Sequence, residues 1–508
     1  MRHPCLVLLI FGSAAAAAAQ TPPRHYTEGI ETRAPAEAPV LGYTLRVDPA
    51  DLSALTVELR IRHAPDTLRL GMVAHPEYDN HPWRLVDRID VTGPRGASVA
   101  REDSALWRVI ALGGESVVRY RIHLPPESGP LRPAWHSFLS PSGGLIGSYQ
   151  TLMYPVGATL APARVTLDLP PGWRVATGLE PTADPDTFFA PNAFVLEDAP
   201  ILVGALRAWR YQVDDVPHRV AWWPAPDAVP FDTLALVDGL RRISEQAARL
   251  FGRLPYREYD WLIQDRAYGA LEHLNSVTLG APSNRLARDM HEFFSGAAHE
   301  YVHTWNLMRL RPAAFGDVDY RPPPRARELW WSEGVTMYYA DLLLRRAGLP
   351  TFDSTRTAHL ESLIARYLAQ PGNARFSAES VSVVSYAAAP DALGDDNAST
   401  HLQGELLGTW LGFRIADATG GRRSLADLMR ALLARYSGPG GFTTADVERA
   451  AREICRCRVR DLFDRYVRSA HPMDFDAELA RVGLRLRTHR APATDSAGHP
   501  YADLRVSA

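Results

Sequence analysis

The chain holds 508 residues with 55 basic against 58 acidic side chains, a formal charge of −3, so nothing concentrates a polyanion and a nucleic-acid partner is excluded. At 46% hydrophobic and 22% charged, with its 40 prolines and 36 glycines dispersed, the composition is that of a folded protein of two to four domains, not a disordered or collagenous chain. Every basic residue is arginine, which excludes a lysine Schiff base, a phosphate-loop lysine and a Ser-Lys dyad.

In chain order, residues 1–19 read as a secretory leader: Arg2 and His3, an apolar stretch from Leu6 to Phe11, then small residues through Ala19. The stretch is too short for a membrane span, and no later segment offers eighteen apolar residues in a row. A periplasmic or secreted protein is expected, with no integral membrane segment after leader removal. Residues 20–222 alternate over short runs such as Tyr43 to Val47, Leu55 to Ile61 and Val117 to Ile122, which predicts an N-terminal β-sandwich domain. From Phe231 the period turns helical, with Leu234, Val237, Leu240 and Ile243 three apart. This opens a second domain over 223–350, followed by a helical C-terminal domain over 351–486 and a short polar tail over 487–508. Helices are expected over Ser424 to Tyr436 and Thr444 to Arg468. Once Cys5 leaves with the leader, only Cys455 and Cys457 remain. Two residues apart on one helix, their side chains diverge by about 200°, so they are expected to stay unpaired.

The chemistry concentrates at His299-Glu300-Tyr301-Val302-His303. At 3.6 residues per turn both imidazoles lie on one face and reach a single metal, with Glu300 beside them to polarise water. Val302 and Trp305 give this helix, continued through Asn306, an apolar side to bury. Half of the motif recurs at His291-Glu292 without a second histidine, so context has to decide. A catalytic zinc needs three protein ligands and one open position. Glu333 opens an apolar helix within Leu329-Trp330-Trp331-Ser332-Glu333-Gly334-Val335, where a buried carboxylate needs a cation or a helix dipole as partner. Two imidazoles and one carboxylate suit Zn2+, one ion per chain. Glu328, five residues earlier, is a candidate to orient a ligand histidine from behind. No Gly-x-Ser-x-Gly string supports a serine hydrolase.

The run His299 to Pro312, the run Leu329 to Tyr339 and the upstream Tyr268-Gly269-Ala270-Leu271-Glu272-His273-Leu274-Asn275-Ser276 together resemble the glycyl aminopeptidase family of zinc metallopeptidases, relatives of the aminopeptidase N type. The resemblance extends to Asp198 to Gly204 and Phe251 to Tyr256. It implies a thermolysin-like α+β zinc catalytic domain between sandwich and helical domain. It further implies His299, His303 and Glu333 as zinc ligands, Glu300 as general base, and Glu272 as the carboxylate that receives a substrate's free α-ammonium. Gly269 and Ala270 would admit an extended backbone. The substrates implied are peptides with a free N-terminus, trimmed of small residues such as glycine or alanine.

Two departures stand out. Where relatives carry a tyrosine that supports the tetrahedral oxyanion, this chain reads Ser399-Thr400-His401-Leu402-Gln403-Gly404, placing His401 in that seat, where its imidazole could donate instead. About twenty residues follow Leu486, too few for the peptide-binding PDZ module many relatives append. Two other readings therefore stand beside the aminopeptidase: a zinc-binding pseudo-peptidase or peptide-binding protein impaired by His401, and a zinc endopeptidase.

Overall fold

The computed structural model describes residues 38–73, 81–111, 114–124, 129–316, 325–387, 398–494 and 499–507. The expected leader and Cys5 lie outside the described residues.

The N-terminal part is β-rich, and strand alternation builds its core. In Ala54–Arg62, Val57, Leu59 and Ile61 point inward, and in Ser116–His123 so do Val118, Tyr120 and Ile122. These strands belong to a seven-stranded sheet. Its inward residues share one apolar core with Leu68, Leu70, Trp107 and Val109 of a four-stranded sheet.

A five-stranded mixed sheet follows, ordered Arg207–Val213, Val216–Trp223, Tyr259–Gln264, Ser276–Gly280, Ala270–Glu272. Its middle strand Tyr259–Gln264 runs parallel to both neighbours and is buried along its whole length, as a central strand covered on both faces must be. One of these strands ends before residue 222 and the next runs through it to Trp223, so the expected boundary at 222 is crossed by continuous hydrogen-bonded pairing.

Helix Thr233–Phe251 turns Leu236, Leu240, Ile243 and Ala247 to the core, while Leu234 is 76% exposed; the buried stripe follows 236, 240 and 243 rather than the run begun at 234. The motif helix His291–His303 lies against it, with Phe294 stacked where Gly239 leaves no Cβ. The C-terminal portion is helical: Arg356–Ala369, Thr400–Thr419, Leu425–Tyr436 and Thr444–Cys455.

Two expectations are corrected. The helix expected over Thr444 to Arg468 stops at Cys455, where Arg456 takes a left-handed conformation at φ 53°, and resumes at Arg460. Because the two cysteines therefore do not share a helix, their Cα atoms stand 5.1 Å apart and they form a disulfide. In the polar tail, Arg487–Thr494 and Pro500–Ser507 pair as an antiparallel hairpin.

Candidate active site

Two helices, one wide turn and a strand edge converge at the candidate residues. Tyr301 and Val302 bury the back of the motif helix. The Tyr301 hydroxyl joins that of Tyr256, and His218 Nε2 reaches them at 3.3 and 2.9 Å. Burial pushes His218 down to about 4, so this anchoring ring is neutral.

The helix ends at His303 instead of continuing through Asn306. The chain reverses over Thr304 to Arg309, with Leu307 at φ 144°, and the Asn306 carbonyl returns to accept from His303 Nδ1 at 3.0 Å. That bond fixes Nδ1 as a donor, so Nε2 is the nitrogen turned to the site, free to coordinate once its own proton gives way to a cation.

Glu333 sits in a π-helical turn, Trp330–Val335, that leads into helix Thr336–Ala347. A wider turn disturbs the ordinary carbonyl ladder. The Asn306 side-chain amide meets the need, donating to the carbonyls of Trp331 at 3.0 Å and Ser332 at 3.2 Å and to Thr336 Oγ1 at 3.0 Å. One asparagine thus ties the second histidine to the turn that carries the distant carboxylate.

His299 Nε2 and His303 Nε2 are 3.0 Å apart, and Glu333 Oε2 lies 3.4 and 3.3 Å from them. Ligands about 2.0–2.2 Å from a tetrahedral ion stand roughly 3.3 Å from one another. The triangle has that edge length, so the donor set fits zinc in both chemistry and spacing. Burial pushes His299 down to about 4. Burial also opposes charge on His303, but the Glu333 carboxylate outweighs it and holds this ring up to about 10. Glu333 itself, despite burial, is held well below the usual carboxylate range by His303 and by hydrogen bonds from His299, His303 and His401. The cluster calls for positive charge at its centre, which a divalent cation supplies.

Glu300 and Glu272 meet beside this triangle. Burial, followed by the facing Glu272 carboxylate to which it hydrogen-bonds, raises Glu300 well above its ordinary range, and burial raises Glu272. Glu272 closes the strand Ala270–Glu272 at the edge of its sheet, and among the described residues no strand pairs with its other side, which is where an incoming backbone could add. Gly269 sits at φ 71°, and a Cβ there would stand 2.8 Å from the Trp135 ring; the turn and this tryptophan both require glycine.

His401 enters from the first turn of helix Thr400–Thr419, which Ser399 caps. Its Nε2 is 3.2 Å from Glu333 Oε2, its ring lies 5.7 Å from that of His299, and its side chain is 49% exposed on the open side. The helix approaches this closely because Gly404 and Gly334 face each other, and a Cβ on either would fall inside the opposing backbone.

One candidate is displaced. Glu328 is buried, but its Oε1 accepts from Thr444 N–H at 3.2 Å, capping helix Thr444–Cys455. His303 Nδ1 takes the Asn306 carbonyl instead. The sequence reading also passed over Asn306 and Gly404; an amide among the apolar Trp305, Leu307 and Met308 was the available signal for the first.

Fold and site together define a metallopeptidase. The family model described as M61 glycyl aminopeptidase matches residues 292–407, and that of the Peptidase M61 N-terminal domain matches 43–205. An aminopeptidase N family protein from Idiomarina loihiensis superposes with a TM-score of 0.80 at 21% identity, over 90% of this chain and 80% of that one. An M1 zinc metallopeptidase from Deinococcus radiodurans superposes at 0.50 with 17% identity, over 85% of this chain and 94% of that one. A structure of the Deinococcus radiodurans M1 zinc metallopeptidase bound to a Tyr-Ser-Ala substrate gives 0.50 at 16%, over 85% and 94%. Comparison with curated proteins finds no match. The chain belongs to the M61 glycyl aminopeptidase family.

Proposed function

We propose that the protein is a zinc aminopeptidase, one ion per chain, that removes N-terminal residues from peptides with a free amine in the periplasm or outside the cell. The observation that carries this reading is the 3.0–3.4 Å triangle of His299, His303 and Glu333 with two further carboxyls, Glu300 and Glu272, beside it. The preference for small residues such as glycine or alanine rests on family membership.

Zinc held by His299, His303 and Glu333 would supply Lewis acidity to a scissile carbonyl and to water. Glu300 then takes the water's proton and returns it to the leaving amine. Its partner Glu272 receives the α-ammonium, so a free N-terminus completes the charge balance between the two carboxyls. The open edge of Ala270–Glu272 hydrogen-bonds the substrate backbone as an added strand. His401, on the solvent side of Glu333, offers an N–H to the developing oxyanion.

The test compares wild type with Glu300→Gln on alanyl-anilide and on its N-acetylated form, with zinc content measured in both proteins. Cleavage of the free amine only, abolished by Glu300→Gln with zinc retained, is the expected result. Equal cleavage of the acetylated form would favour an endopeptidase, and unchanged cleavage by Glu300→Gln would remove the assigned base.

A further inference from the structure

A cleft of about 320 Å³ opens beside Glu300, bounded on one side by Gly269 and Ala270 and on the other by the first turns of the motif helix. That volume lies near the lower end of the roughly 300–1,000 Å³ typical of ligand pockets. Resting on the aminopeptidase reading, its position relative to the substrate follows from the strand edge. An α-ammonium at Glu272 and a backbone running along the strand toward Gly269 bring the residues after the scissile bond into this cleft.

Gly296 is its distinctive feature. It lies mid-helix, where glycine is less favourable than alanine. Gly239 and Gly404 are each forced by a neighbour that would collide with a Cβ, whereas a Cβ on Gly296 would meet none of the described residues within 4 Å. No packing contact requires this glycine; it lines the cleft and deepens it. The wall is apolar, with Leu286 and Phe293 buried, and two aromatics stand exposed at the rim, Tyr268 at 47% and Phe352 at 68%. The charged side chains at the rim face solvent: Arg285 and Glu292, 55% and 78% exposed, lie 3.6 Å apart, and Asp289 accepts from the His291 N–H at 2.9 Å.

We infer that this cleft receives the side chain of the second substrate residue, that it selects a large apolar one, and that Gly296 sets the limit. Exposed rim aromatics gain most from an apolar ligand, and the rim charges lie in water, where screening weakens their pull on a charged one.

The experiment compares Ala-Phe and Ala-Gly dipeptide amides in wild type and Gly296→Leu. Wild type is expected to favour Ala-Phe by tenfold or more in kcat/KM. In Gly296→Leu that ratio falls at least tenfold, through KM, while the thermal midpoint stays equal or rises. Binding of the same dipeptide amides to zinc-loaded Glu300→Gln and Glu300→Gln/Gly296→Leu, measured by calorimetry, gives the preference without turnover. Cleavage with no preference, or a preference that Gly296→Leu leaves intact, overturns the inference and spares the aminopeptidase. A binding preference erased by Gly296→Leu without wild-type cleavage keeps the cleft assignment and removes the catalytic reading. Neither binding nor cleavage overturns both.

Discussion

At the scale of single residues, the site turns on which imidazole nitrogen faces inward. His303 is settled by a backbone carbonyl: the Asn306 oxygen accepts from its Nδ1, which turns Nε2 toward the ion. His401 differs from the two motif histidines in being half exposed while still 3.2 Å from Glu333. If it donates to the oxyanion, His401→Ala should lose about 10²–10³ in kcat with zinc content unchanged, the cost of one such donor. Steady-state kinetics with metal analysis decide this. A ring that merely steadies Glu333 would instead lower zinc content, and an unchanged kcat would leave it no catalytic part.

At the scale of elements, two helices meet backbone to backbone. The π-helical turn Trp330–Val335 and helix Thr400–Thr419 touch at Gly334 and Gly404 with no room for a Cβ. Glu333 and His401 are held together by that contact, and on the same helix Glu405 is fixed by His359 Nε2 at 2.7 Å. Gly404→Ala should cost about 1–3 kcal/mol of stability, as over-packing does, and weaken zinc binding as the turn shifts. At Gly408 the nearest atom to an added Cβ is the Val335 side chain at 3.1 Å, which can yield, so Gly408→Ala should cost less. Thermal midpoints and zinc titration of the pair test the argument; equal losses would remove the backbone contact as its cause.

At the scale of the whole molecule, the β-rich part helps to build the substrate edge. Its residues Arg132–Pro133 pair with Ala267–Tyr268, and Asp198 accepts from the Leu274 N–H at 2.8 Å just beyond Glu272. Glu197, next to Asp198 in the chain, is 2% exposed, with neither carboxyl oxygen hydrogen-bonded among the described residues. Burial raises its pKa well above 4.5. In the pH range between the unfolded and the folded value the native state holds a proton that the unfolded chain has lost. The protonated carboxyl's contribution is therefore full below about pH 4.5 and is lost as pH rises through the folded value. Glu197→Gln should flatten the decline of the thermal midpoint above that pH. A melting series from pH 4.5 to 8 checks it, and an unchanged slope would place the titration elsewhere.

Local pattern was enough for the class of each part and for the pair of candidate histidines. Alternation read out the strands, and the four-residue spacing of His299 and His303 lies within one helical turn, where chain geometry alone brings two rings to one face. The placement of Glu333, thirty residues on, came from resemblance, because separation of that order says nothing of distance. Glu328 looked equally suited to the site until packing turned it to Thr444. The end of the motif helix at His303, the left-handed Arg456 that lets Cys455 and Cys457 pair, and the meeting of Gly334 with Gly404 are decisions of tertiary structure. They depend on atoms far apart in the chain competing for the same hydrogen bond or the same volume, and no window of sequence contains both competitors.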